Sequence, residues 1–175
     1  MNGEASATST RARVTRIAIV VGLGLFAAGW VYVLFIAPPA PTDFLKDRSF
    51  PTAAEPVCAA TVTSLQQANL VNQQASSPQQ RGDLADRADD QLTDMVARLR
   101  TLVPATGEAH DAATAWLNDW DQWLHDRAAW TAQLHAGTDA QFFEKQRANG
   151  EPSSTALNAF AVTNDMGSCQ TPAGI

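Results

Sequence analysis

The chain has 175 residues, with 12 Lys+Arg against 18 Asp+Glu, a formal net charge of −6, two cysteines and three histidines. An acidic chain repels phosphate backbones and anionic headgroups, which sets nucleic acid aside as a partner. Two thiols alone do not make a zinc site, and their spacing contains no CxxC redox motif.

The charge is unevenly divided. From Asp43 onward nine Lys+Arg face seventeen Asp+Glu, a net −8, whereas the tail before residue 17 carries +2. That tail, residues 1–16, holds Arg11, Arg13 and Arg16 against one acid, Glu4. Residues 17–36, IAIVVGLGLFAAGWVYVLFI, follow without a side chain that is charged at neutral pH. At about 1.5 Å rise per residue this stretch spans roughly 30 Å, the thickness of a bilayer's hydrocarbon core. It is expected to be a single transmembrane anchor. The arginine excess before it places the tail in the cytoplasm and everything after it outside, in a cell membrane. Trp30 and Tyr32 fall near the far end, where amphipathic rings settle among headgroups.

A cleaved signal peptide is the competing reading. Its apolar core runs about 7–15 residues before a small-x-small site. Here the core is longer, and APPAPT offers only Ala37 and Ala40 among prolines, so retention is expected. Ala18, Gly22, Gly24, Ala28 and Gly29 would permit a weak homodimer through the anchor, although small residues are common in all membrane helices.

Residues 37–54 contain Pro38, Pro39, Pro41 and Pro51 and read as a semi-rigid stalk. The remainder, residues 55–175, reads as an extracytoplasmic, all-α domain: an antiparallel bundle of about four helices, the last one broken. A first helix is predicted from about residue 55 or 56 to 75, with Val57, Cys58, Thr61, Leu65 and Ala68 on one face. Ser77 is a natural N-cap for a second, over 78–103, with Pro78 at its first position and Gln80 completing a capping box. Leu84, Ala88, Leu92, Met95, Val96, Leu99, Leu102 and Val103 occupy an arc of roughly 120° on that helix. Asp83, Asp86, Asp90 and Asp94 lie away from this arc and read as a solvated face rather than a cation site.

Pro104 ends the second helix. A third is predicted over 107–136, with Thr106 as cap and Gly137 as stop. Trp116, Trp120, Trp123 and Trp130 fall within roughly 80° of one another on it, and Arg127 lies inside the same arc. A tryptophan stripe at helical spacing is core more often than it is a stacking platform. It is nonetheless the chain's candidate ligand or partner face. Arg127 must find a carboxylate, such as Asp90 or Asp94, an aromatic face or the surface. Thr138 and Gln141 form another capping box before a predicted short helix over 139–148, and Ser153 or Ser154 caps a last segment over 155–166.

The two cysteines, Cys58 and Cys169, lie on the expected oxidising side and are predicted to form a disulfide. That bond is expected to bring Cys169, at the end of the last helix, beside Cys58, at the start of the first, at the membrane-proximal end.

Catalytic signatures are missing: no HExxH, P-loop, GxSxG, GxGxxG before a helix, or paired ExxH. Among His110, His125 and His135, only Asp121 with His125 has a spacing that could share a metal, and one such pair on an Asp-rich helix is close to chance. No cofactor, metal or enzymatic activity is therefore expected. The reading is a membrane-tethered interaction or structural module that binds another envelope protein. The alternative is a ligand-binding or sensor domain using the face around Trp120, Trp123 and Arg127. The short tail leaves no room for a folded cytoplasmic output, so a sensor would signal through a partner.

Overall fold

The computed structural model describes residues 21, 22, 26, 44–70, 75–147 and 150–172. The chain divides into two compact units, Met1–Ala40 and Pro41–Ile175. In the first, Val21, Gly22 and Phe26 are helical. Otherwise the anchor expected over 17–36 and the tail over 1–16 lie outside the described residues. Among the described residues, no helix is long and apolar enough to cross a membrane.

The second unit holds four helices and no strand among its described residues: α1 Ser49–Gln67, α2 Pro78–Arg100, α3 Glu108–His135 and α4 Ser153–Thr163. A single 3-10 turn, Gly167–Cys169, follows. The first helix starts six residues before the earlier predicted bound and ends eight before the predicted 75. Pro51 is no obstacle, because it is the third residue of α1, in a turn whose N–H groups have no partner within the helix. The Asp47 carboxylate accepts the Ser49 N–H at 2.9 Å, which starts the helix and holds Asp47 below the ordinary carboxylate range. Pro56 sits in the helix interior on its exposed side.

The stalk expected over 37–54 is thus corrected over its described part. Leu45, Phe50 and Ala54 belong to the domain core. Leu45 donates its N–H to Asn164 Oδ1 at 2.8 Å, and Arg48 pairs with Asp165 and the Asn164 carbonyl, so this segment is strapped to the end of α4.

Ser77 caps α2 as predicted, its Oγ accepting the Gln80 N–H at 3.2 Å, with Pro78 in the first turn. The reciprocal half of the capping box reaches one residue further: Gln80 Oε1 accepts from Ser76, not Ser77. At the start of α3 the cap is Gly107 at φ +95°, rather than Thr106, and no side chain caps that end.

Three helices end in the same way. Asn69 after α1, Gly137 after α3 and Asp165 after α4 all have positive φ. The following residue returns its N–H into the last turn: Leu70 to Leu65 O, Thr138 to Gln133 O, and Met166 to Ala161 O. These are Schellman closures. Leu65 with Leu70, and Ala161 with Met166, are buried on the closing side.

The most extensive interface lies between α2 and α3. They run antiparallel: Arg100 pairs with Asp121, Arg127 with Asp89, and His135 with Asp86. The predicted disulfide joins Cys58 to Cys169, with their α-carbons 5.1 Å apart. Because α1 begins at Ser49, Cys58 lies mid-helix rather than at its start. The Glu55 carboxylate accepts both the N–H and the Oγ–H of Ser168, which seats the 3-10 turn on α1 beside the bond.

The broken fourth helix is also corrected. Residues 138–147 carry no helix, turn or bend, and Gln146 forms an isolated antiparallel bridge with Pro152. Other groups of the fold claim the backbone that a helix would have used. Trp130 donates its indole N–H to Ala140 O at 2.9 Å, and Lys145 donates its N–H to Asp126 Oδ2 at 2.8 Å. Ser153 donates its hydroxyl to Lys145 O at 3.1 Å. Only the final segment is helical, and it runs from Ser153 to Thr163 rather than to 166.

Candidate functional site

Every residue of the predicted face is interior. Trp116, Trp120 and Trp123 are at most 3% exposed, Trp130 is 8% and Arg127 only 1%. Each packs onto the next along α3. Trp116 meets Trp120 edge-on at 6.3 Å, and Trp120 meets Trp123 edge-on at 5.5 Å, the arrangement favoured by the ring quadrupole. At the α4 end, Phe160 stacks on Trp116 at 5.2 Å and Phe50 of α1 meets it edge-on at 6.2 Å. Trp116 donates its indole N–H to Leu157 O at 3.1 Å. The indole nitrogens of Trp120 and Trp123 have no hydrogen-bond partner among the described residues.

Arg127 is the centre of a second cluster. Its Nε donates to Asp89 Oδ1 at 2.5 Å. Its guanidinium carbon lies 4.9 Å from the Trp123 ring, 5.4 Å from Trp130 and 5.6 Å from Phe142. Phe142 comes from the 138–147 segment and closes the cage, contacting Trp123 at 6.0 Å and Trp130 at 5.6 Å. Cation–π contact grows stronger when the cation is desolvated, and here the cation is the chain's own.

The acid differs from those expected. Asp90 and Asp94 face elsewhere, and the partner is Asp89. A sequence signal for it existed: Asp89 stands three residues before Leu92 and seven before Val96, at the edge of the buried stripe of α2. Burial pushes the Asp89 carboxyl above its ordinary range; the attraction and hydrogen bond of Arg127 oppose this, while Asp86 and Asp90 add to it. Asp119 is likewise raised by burial, against the pull of Arg147 at 3.1 Å.

The remaining polar groups form separate surface clusters. His135 lies 2.7 Å from Asp86 and 3.9 Å from Asp83. His110 Nδ1 is 2.7 Å from Pro104 O, and His125 is exposed. No group of three or more His, Cys, Asp or Glu side chains suited to a metal ion occurs among the described residues.

Phe143, beside the caged Phe142, is 80% exposed. It borders a cleft of about 400 Å³ together with Trp130, Ala129, Asp126 and Glu144. The sequence signal for this outward ring is weak, because the capping pattern of Thr138 and Gln141 predicts a helix over 139–148. No protein-family model, curated protein or solved structure matches this chain.

Proposed function

We propose that this chain is a single-pass, membrane-tethered protein whose extracytoplasmic helical bundle serves as an interaction or structural module of the cell envelope. Residues 17–36 are its anchor, the arginine-bearing tail faces the cytoplasm, and another envelope protein is its partner. No catalytic activity is assigned to it.

The observation that carries this reading is the burial of the tryptophan face. A ligand-binding domain built on Trp120, Trp123 and Arg127 needs a concave opening beside them. Those side chains are instead packed against one another and against Phe142, and the guanidinium already fills the aromatic cage. What the domain offers to others is its outer surface. The Cys58–Cys169 bond supports an oxidising compartment, in keeping with a domain held outside the cytoplasm.

The test is a pair of fusions to a reporter that is active only outside the cytoplasm. Activity is expected after Ile175 and not before Arg11, together with a mature N-terminus at Met1 or Asn2. An N-terminus at residue 41 or later would show residues 17–36 to be a signal peptide and remove the tether. Crosslinking in intact cells should then recover one envelope protein in stoichiometric amount.

A further inference from the structure

The least conventional part of the domain is the segment over 138–147, which carries no helix, turn or bend and yet is pinned. Besides the bonds from Trp130, Asp126 and Ser153, the Glu144 carboxylate accepts the Ser154 N–H at 2.8 Å, Arg147 pairs with Asp119, and Arg81 pairs with Asp139. Between these pins, the backbone N–H and C=O groups of Gln141, Phe142, Phe143 and Glu144 have no hydrogen-bond partner among the described residues. Proteins seldom bury unmatched backbone groups, so these face water. Exposure also alternates along the segment, with Gln141 and Phe143 outward and Phe142 and Glu144 half-buried. A two-residue alternation is that of a strand, here one whose backbone groups are left unpaired.

We propose that residues 141–144 are a docking edge to which an extended, basic segment of a partner protein adds as a strand, with Phe143 as the anchoring ring. The inference rests on the interaction-module reading and names the site and the kind of partner. Main-chain hydrogen bonds supply the affinity of strand addition, and alternate side chains supply its specificity. Phe143 supplies a large apolar contact on a segment already held in place, so little freedom is lost on binding. The adjoining cleft holds Asp126 and Glu144 against one cation, Lys145, within a domain of net −8. Charge complementarity therefore selects lysine- or arginine-bearing segments. It also disfavours a second copy of this chain, which would set two acidic domains and two pairs of these carboxylates against each other.

The test is hydrogen exchange on the full chain in lipid nanodiscs, using synthetic peptides as probes. One alternates lysine and valine, a second is its backbone N-methylated form, and a third alternates glutamate and valine. Exchange across residues 141–145 is expected to slow by about threefold or more with the lysine–valine peptide alone. Phe143→Ser touches an exposed ring, so the fold should survive while that protection is lost. Equal protection by the N-methylated peptide, or none by any probe, would overturn the proposal. Protection without peptide that grows with protein concentration would overturn it in favour of a second copy. A partner crosslinked in cells to another face sinks this inference and leaves the module reading standing; a failed topology test does the reverse.

Discussion

Arg127 and Asp89 meet at 2.5 Å in the interior, across the α2–α3 interface and under a roof of Trp123, Trp130 and Phe142. The pair ties three separate parts of the chain to one charge. Arg127→Ala is expected to cost about 3–5 kcal/mol, because it leaves a partly buried carboxylate without its counter-charge and empties the cage. Replacing both partners, Arg127→Met with Asp89→Leu, should recover most of that loss. Denaturant unfolding followed by tryptophan fluorescence measures both; a double variant as unstable as the single one would show the loss to be packing alone.

The same pair gives stability a definite pH dependence. Asp89 and Asp119 both have folded pKa values above the ordinary range, raised by burial. The folded state therefore holds more protons than the unfolded state at pH values just above about 4, and stability contributed by these groups rises as pH falls through that window. Below the unfolded value both states are protonated and no further gain follows. Asp89→Asn should flatten its share of the slope. A wild-type melting temperature that does not rise relative to that of Asp89→Asn as pH is lowered toward about 4 would contradict the direction.

The Cys58–Cys169 bond closes a separation of 111 residues. Chain-entropy arguments give about 4–5 kcal/mol for a loop of that size. Cys58→Ser with Cys169→Ser should lower the melting temperature. The first amides to lose protection should be those of α4 and the 3-10 turn, which the bond and Glu55 hold against α1. Uniform loss across α2 and α3 at the same time would argue that the bond stabilises the domain only globally.

Gly82 records a close approach. A Cβ there would stand 3.0 Å from His135 Cε1, so alanine requires the imidazole, which lies 2.7 Å from Asp86, to give way slightly. Alanine otherwise favours a helix interior over glycine by about 0.5–1 kcal/mol. The two effects should nearly cancel in Gly82→Ala alone. In a His135→Ala background only the helix gain remains, and Gly82→Ala should stabilise by about that amount. Equal effects in the two backgrounds, read from thermal unfolding, would mean that the ring and Gly82 do not interact.

Much of this architecture is local in origin and could be read from the sequence. The Ser77–Pro78–Gln80 start of α2, the Gly137 stop of α3, the inward tryptophan stripe and the pairing of two lone cysteines follow from caps, helical periodicity and compartment chemistry. Each depends on neighbours within a turn or two, or on there being no other thiol to choose. Tertiary structure decided what depends on a partner far away in the chain. The register of α2 against α3 chose Asp89 over Asp90, because one residue on a helix is a rotation of about 100°. Contact between Leu45 and Asn164 drew residues 44–48 into the fold, and α1 then began at Ser49 in spite of two prolines. The capping pattern at Thr138 and Gln141 favoured a helix over 139–148. Trp130, Asp126 and Ser153 offered the same backbone other partners, and the cage around Arg127 fixed Phe142 inward. Exposure alternates from residue to residue along 141–144, so with Phe142 held inward Phe143 faces solvent.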